Sequence, residues 1–132
     1  MGKPDIKSRE DLEELLRAFY EKAIYDEIIG HFFTKVIPLD IVTHVPVITD
    51  FWETILLNGK SYQKNAMLPH EHINRLSPME EKHFKRWLEL FNETIDELFA
   101  GSIADLAKQR ALSIATVMRI KFSRSSPINI IK

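Results

Sequence analysis

The chain has no cysteine. That excludes disulfides, thiolate nucleophiles and zinc sites built on Cys ligands. Glycine is scarce, with 4 in 132 residues, and no repeat or low-complexity segment is present. Nothing resembles a phosphate loop, a dinucleotide fingerprint or a Ser-His-Asp hydrolase. A charge excess of either sign is also missing. The 18 Lys and Arg nearly cancel 19 Asp and Glu, leaving a formal net charge of −1. A nucleic-acid partner would call for a basic surplus, so none is expected. No apolar stretch is long enough for a bilayer, and the segment from Met1 to Glu10 is polar and charged, unlike a signal peptide. The expectation is a cytoplasmic protein without membrane contact. Its length suits one domain, 1–132, with frayed ends at 1–7 and 123–132.

What is present is helical periodicity. Ser8 and Asp11 have the spacing of a capping box. Leu12, Leu15, Leu16, Phe19, Ala23 and Ile24 then recur on one helical face, predicting a helix that stops near Gly30. A second stripe runs from Asp40 to Leu57 through Ile41, Val45, Ile48, Phe51, Trp52, Ile55 and Leu56. Pro46 is tolerable in a first turn, which predicts a start near Thr43, and Asn58-Gly59 supplies a stop. Ser77-Pro78-Met79-Glu80 reads as N-cap, first position and capping glutamate of a third helix. That helix carries Phe84, Trp87, Leu88, Phe91, Ile95, Leu98 and Phe99 and ends at Gly101. Ser102 and Asp105 are expected to cap a fourth helix with Ile103, Leu106, Ala107, Ala111, Ile114, Ala115 and Met118 on its apolar face. No segment alternates with period two, so the fold class is all-α. The short turn at Gly101 predicts an antiparallel pair.

The stretch from Lys60 to Ser77 is polar and aperiodic, and holds Tyr62, Met67, Pro69, His70 and His72. Long loops in compact domains tend to be functional or disordered, which makes this one the first place to look for chemistry. Of the five histidines, His31 reads as solvated and His44 as a half-exposed helix residue. His70 and His72 lack a third partner for a zinc site. His83 lies one turn before Trp87, on the same face. Tyr20 reads as a core tyrosine with its hydroxyl at the surface. Taken singly, Trp52, Trp87 and the phenylalanines are packing residues.

Together these residues resemble a known family. The anchors are Phe19-Tyr20, Ile29-Gly30-His31-Phe32-Phe33, His44 followed by Phe51-Trp52-Glu53, and Tyr62 leading to Asn65-Ala66-Met67-Leu68-Pro69-His70. Ser77-Pro78, the run from His83 to Phe91, and Phe99-Ala100-Gly101 follow in order. From Ile6 to about Lys121 the chain resembles the truncated haemoglobins, specifically their third group, departing from the usual loop pattern at Lys64 and Ala66.

The resemblance implies a 2-on-2 helical sandwich around haem b. It implies His70 as the iron ligand, because the Tyr-x-x-Asn-x-Met-x-x-His pattern falls on Tyr62, Asn65, Met67 and His70, and spacing from the Ser-Pro cap selects His70 over His72. The distal roles fall on Tyr20, His44 and Trp87, and Phe33 takes the place of the phenylalanine that packs on the porphyrin. Trp52, Tyr62, Met67 and Phe84 complete the expected haem contacts. His83, Arg86 and Arg75 are candidates for the haem carboxylates, which favour cationic or N–H partners. The implied ligands are O2, NO or CO, and ligand chemistry or sensing is expected rather than bulk oxygen transport. Nitric oxide dioxygenase or peroxidase-like turnover would need an external electron donor. The competing expectation is a haem-free helical interaction module on the same scaffold.

Overall fold

The computed structural model describes residues 2–36, 40–57 and 78–124. These form α1 (Arg9–Ala23), α2 (Ile41–Leu56), α3 (Glu81–Leu98) and α4 (Ser102–Arg124), with a single π-helical turn at Phe32–Val36. No strand occurs among the described residues. None of their helices is long and apolar enough to cross a membrane.

The start of α1 is as the sequence predicts. The Asp11 amide donates to Ser8 Oγ at 3.3 Å, and the Ser8 amide donates back to Asp11 Oδ2 at 3.2 Å. Leu12, Leu15, Leu16, Phe19, Tyr20 and Ala23 are buried along one face. The helix ends at Ala23 and does not continue to Gly30. Asp26 is the reason: its Oδ2 accepts the Ile28 and Ile29 amides at 3.0 and 3.1 Å, offering the backbone an alternative to the helical ladder. The chain then folds back so tightly that a Cβ on Gly30 would lie 2.8 Å from the Ile24 carbonyl oxygen. That return sets Ile29 and Phe32 into the core.

α2 begins two residues earlier than Pro46 suggests. Asp40 caps it, accepting from the Val42 amide at 3.1 Å and the Thr43 hydroxyl at 2.6 Å. Pro46 therefore lies in the second turn, where it deprives the Val42 carbonyl of its helical donor. Both residues are exposed, so the disruption falls on the outer face. Arg9 ties α1 to α2, reaching Asp50 at 2.6 Å and Glu53 at 3.0 Å. The Asn58-Gly59 stop lies outside the described residues.

α1 packs on α2, α3 packs on α4, and α1 lies against α3, giving two helices on two. Ala104, Ala107, Ala111 and Ala115 form a buried stripe on α4 whose small side chains let α3 approach closely. Lys22 on α1 pairs with Glu93, at 3.5 Å, and with Glu97 on α3.

The N-terminal residues are anchored where fraying was expected. Ile6 is 1 % exposed within the core. The Ala100 amide donates to the Pro4 carbonyl at 2.9 Å. Asp5 caps α4 in place of the expected Ser102 and Asp105: its carboxylate accepts the Ile103 amide at 3.0 Å and the Ala104 amide at 2.9 Å. Burial alone would raise the Asp5 pKa, but the Ile103, Ala104 and Ile6 N–H groups outweigh it and hold it below the ordinary value. Gly101 makes the clasp possible. Its φ is +142°, and a Cβ there would lie 2.4 Å from Asp5 Cγ. At the other end, residues 123 and 124 continue α4, and 125–132 lie outside the described residues.

Candidate functional site: an aromatic pocket between the helix pairs

A pocket opens between the two helix pairs. Its volume is about 130 Å³. Its lining is almost wholly apolar. α1 contributes Phe19 and Tyr20, the π-helical turn Phe32 and Phe33, α2 Phe51 and Trp52, and α3 His83, Phe84, Trp87 and Phe91. The i, i+3, i+4, i+7 spacing of α3 is what turns Phe84, Trp87 and Phe91 to one side.

The aromatic wall has a definite order. Trp87 and Phe91 stack nearly parallel, 5.4 Å apart at 11°. Trp52 continues the stack from α2, 5.0 Å from Phe91 at 24°. Phe19 meets Phe91 edge-on at 5.5 Å. Phe33 sits edge-on to Tyr20 at 5.8 Å. Flat faces and edges of this kind suit a large planar apolar guest.

Two polar side chains meet on the α1–α2 wall. The Tyr20 hydroxyl and His44 Nε2 lie 3.0 Å apart. The Tyr20 hydroxyl is thus engaged inside the protein, where a surface position was expected, and the residue is 8 % exposed. Burial drives its pKa far above the ordinary phenol value, so it remains a neutral O–H. A phenol has one proton to give. If His44 carries its proton on Nδ1, Tyr20 donates to Nε2. If His44 carries it on Nε2, His44 donates to the phenol oxygen and the Tyr20 proton is released for another acceptor. His44 therefore governs what Tyr20 can offer the pocket.

His83 is held differently. Its Nδ1 accepts the Glu80 amide at 2.8 Å, a capping box with histidine as the third helical residue. α3 consequently starts at Glu81, and Pro78 and Met79 precede it as non-helical residues. Ser77, the expected cap, lies outside the described residues. The His83 ring packs edge-on against Phe32 at 4.9 Å, with His31 at 5.6 Å. Burial pushes the His83 pKa down, Glu80 pulls it up, and His31 and Lys82 lower it further. A neutral imidazole accepting at Nδ1 carries its proton on Nε2. His83 is thus a donor, not a metal ligand. His31, expected to be solvated, is half-buried and lies on Phe32 with ring centres 4.1 Å apart.

Several expected site residues do come together here: Tyr20, Phe33, Trp52, His83, Phe84 and Trp87 all line the pocket. His44 acts through Tyr20. Arg86 is committed elsewhere. Its Nε donates to Asp26 at 2.8 Å, and Nη1 lies 3.6 Å from Glu89. Burial would raise the Asp26 pKa, but Arg86 and the Ile29 and Ile28 amides more than offset it, holding it below the ordinary value. Tyr62, Met67, His70, His72 and Arg75 lie outside the described residues. Among the described residues no group of three or more His, Asp or Glu side chains could hold a metal ion. Sequence reasoning missed Met79, Ile48, Phe51 and Phe91 as lining residues. Phe91 was within reach, one turn beyond Trp87 on the same stripe.

The four helices of the described residues, paired two on two around this pocket, have the truncated-globin fold. The chain is similar to the third group of truncated haemoglobins. A group 3 truncated haemoglobin from Campylobacter jejuni is 29% identical over 112 residues, covering 83% of this chain and 86% of the relative. The crystal structure of group III truncated haemoglobin from Campylobacter jejuni matches with a TM-score of 0.80 at 25% identity, covering 94% of this chain and 98% of that one. No protein-family model matches the chain.

Proposed function

We propose that this chain binds haem b in the aromatic pocket, with His70 as the iron ligand, and takes a diatomic gas there. The observation that carries the reading is the pairing of an apolar, aromatic-walled pocket with a Tyr20–His44 hydrogen bond at its wall. Aromatic faces would hold the macrocycle, and Phe33, Trp52, Phe84 and Trp87 are the residues to do so. Haem would supply an iron that coordinates the gas and exchanges electrons.

The protein's own part is to hold protons where a bound gas becomes electron-rich. Tyr20 contributes a phenol O–H kept neutral by burial. Trp87 contributes an indole N–H, which can only donate. A hydrogen bond to a charged acceptor contributes about 1.5–3 kcal/mol, roughly ten- to a hundredfold in affinity. A pocket so equipped releases oxygen slowly, which favours ligand chemistry or sensing over bulk transport. Nitric oxide dioxygenation and peroxide reduction both fit, with an external electron donor. The cysteine-free composition fits a cytoplasmic setting.

The test is direct. Purified protein supplemented with haem should be red with a strong Soret band. His70→Ala should weaken or abolish haem retention. Protein that stays colourless would sink the reading.

A further inference from the structure

His83 is a buried polar group whose second ring nitrogen is unpaired among the described residues. It is 8 % exposed and lines the pocket at the first turn of α3. The Glu80 amide occupies its Nδ1. Among the described residues its Nε2 has no hydrogen-bond partner. A capping box alone needs only one acceptor at this position, which glutamate or glutamine ordinarily supplies. Histidine adds a second function: a donor on the far side of the ring, fixed in direction by the bond on the near side.

The surroundings say what that donor suits. The α3 N-terminus leaves backbone N–H groups and a positive dipole end beside the ring. Lys82 adds a positive charge and Glu80 opposes it. The free backbone N–H groups and an Nε2–H together suit a hydrogen-bond acceptor. Arg86, on the same helix, is already paired with Asp26.

We propose that His83 is a carboxylate-recognition residue, held by Glu80 as the Nε2–H tautomer so that it donates to one carboxylate of the bound macrocycle. This rests on the haem reading above and deepens it: it assigns the tautomer, the donating atom and the ligand group. The same bond that caps α3 pre-orients the donor, so little ordering is needed when the ligand arrives.

Two variants separate recognition from capping. Glutamate and glutamine both accept the Glu80 amide at this position. Only glutamine also offers N–H groups, whereas glutamate opposes a carboxylate. Haem loss to an excess of an apo-globin acceptor is the measurement. His83→Glu should lose haem at least about tenfold faster than wild type, and His83→Gln should remain near the wild-type rate. Repeating both with haem dimethyl ester removes the carboxylate charge, and the Glu–Gln gap should close. Equal rates with native haem, or a gap that survives esterification, would overturn the proposal while leaving haem binding intact. A wild-type protein that takes up no haem would overturn both. A readout without haem is the nitrogen-15 spectrum of the wild-type apo-protein. His83 should show a protonated Nε2 and an unprotonated Nδ1, and the opposite tautomer would refute the assignment.

Discussion

Two histidines occupy nearly the same place on two helices. His44 lies in the first turn of α2 and His83 in the first turn of α3. Their partners make them different instruments. His83 is bonded to the amide that begins its own helix, which leaves one neutral tautomer. His44 meets the Tyr20 hydroxyl, a group that can either give or take a proton. One imidazole is therefore fixed by a backbone donor, whereas the other meets a side chain that can play either role. A backbone N–H imposes a role on its acceptor, whereas a hydroxyl negotiates one.

The comparison can be broken or sharpened by substitution. The largest effect is expected where both histidines would lose the guest they face: His70→Ala should abolish or severely reduce the Soret band after haem supplementation. Next comes Tyr20→Phe, which removes the phenol hydroxyl that His44 meets. Oxygen dissociation, followed by stopped flow, should speed up at least several-fold and up to about a hundredfold. An unchanged rate would remove Tyr20 from the site.

Asp26→Asn probes the fixed side at a distance. Asp26 holds the turn that brings His31 and Phe32 against His83, and its pairing with Arg86 is part-buried. The loss should be about 1–3 kcal/mol in denaturant unfolding. The pH dependence has a definite sign. The folded pKa lies below the ordinary 3.8. The stabilisation is thus fully present above 3.8 and is lost as pH falls through the folded value. The Asn variant should lack that part of the acid transition.

The smallest effect is expected for Asp5→Ala, far in sequence from both histidines. Loss of a helix cap costs about 0.5–2 kcal/mol. The Soret spectrum should be unchanged, since Asp5 holds the α4 start and does not line the pocket. A spectral change would mean that the clasp and the pocket are coupled.

Period 3.6 was enough to find the four helices of the described residues and the pocket-facing row Phe84, Trp87 and Phe91, because burial of one helical face is written in the order of residues. The Ser8–Asp11 box was equally legible, both partners lying within one turn. Non-local partners were not. Asp5 reads as one of several charges in a polar terminus, yet it caps a helix that begins 97 residues later. Arg86 reads as a free cation until Asp26 is seen beside it, 60 residues away. His83 is intermediate: Glu80 is three residues off, but histidine in the glutamate position of a capping box is an uncommon signal.

By itself, then, the sequence determined an all-α chain, the location of its helices, the aromatic stripe of α3 and a family resemblance that the fold bears out. It proposed Tyr20, His44 and His83 as residues of interest without saying what each one touches. Only the tertiary structure decided that. A hydrogen bond depends on distance and direction between groups brought together by folding, and residue order records neither. The 3.0 Å between Tyr20 and His44 is set by the packing of α1 on α2. That contact, like the one that fixes His83, is where two similar histidines acquire different chemistry.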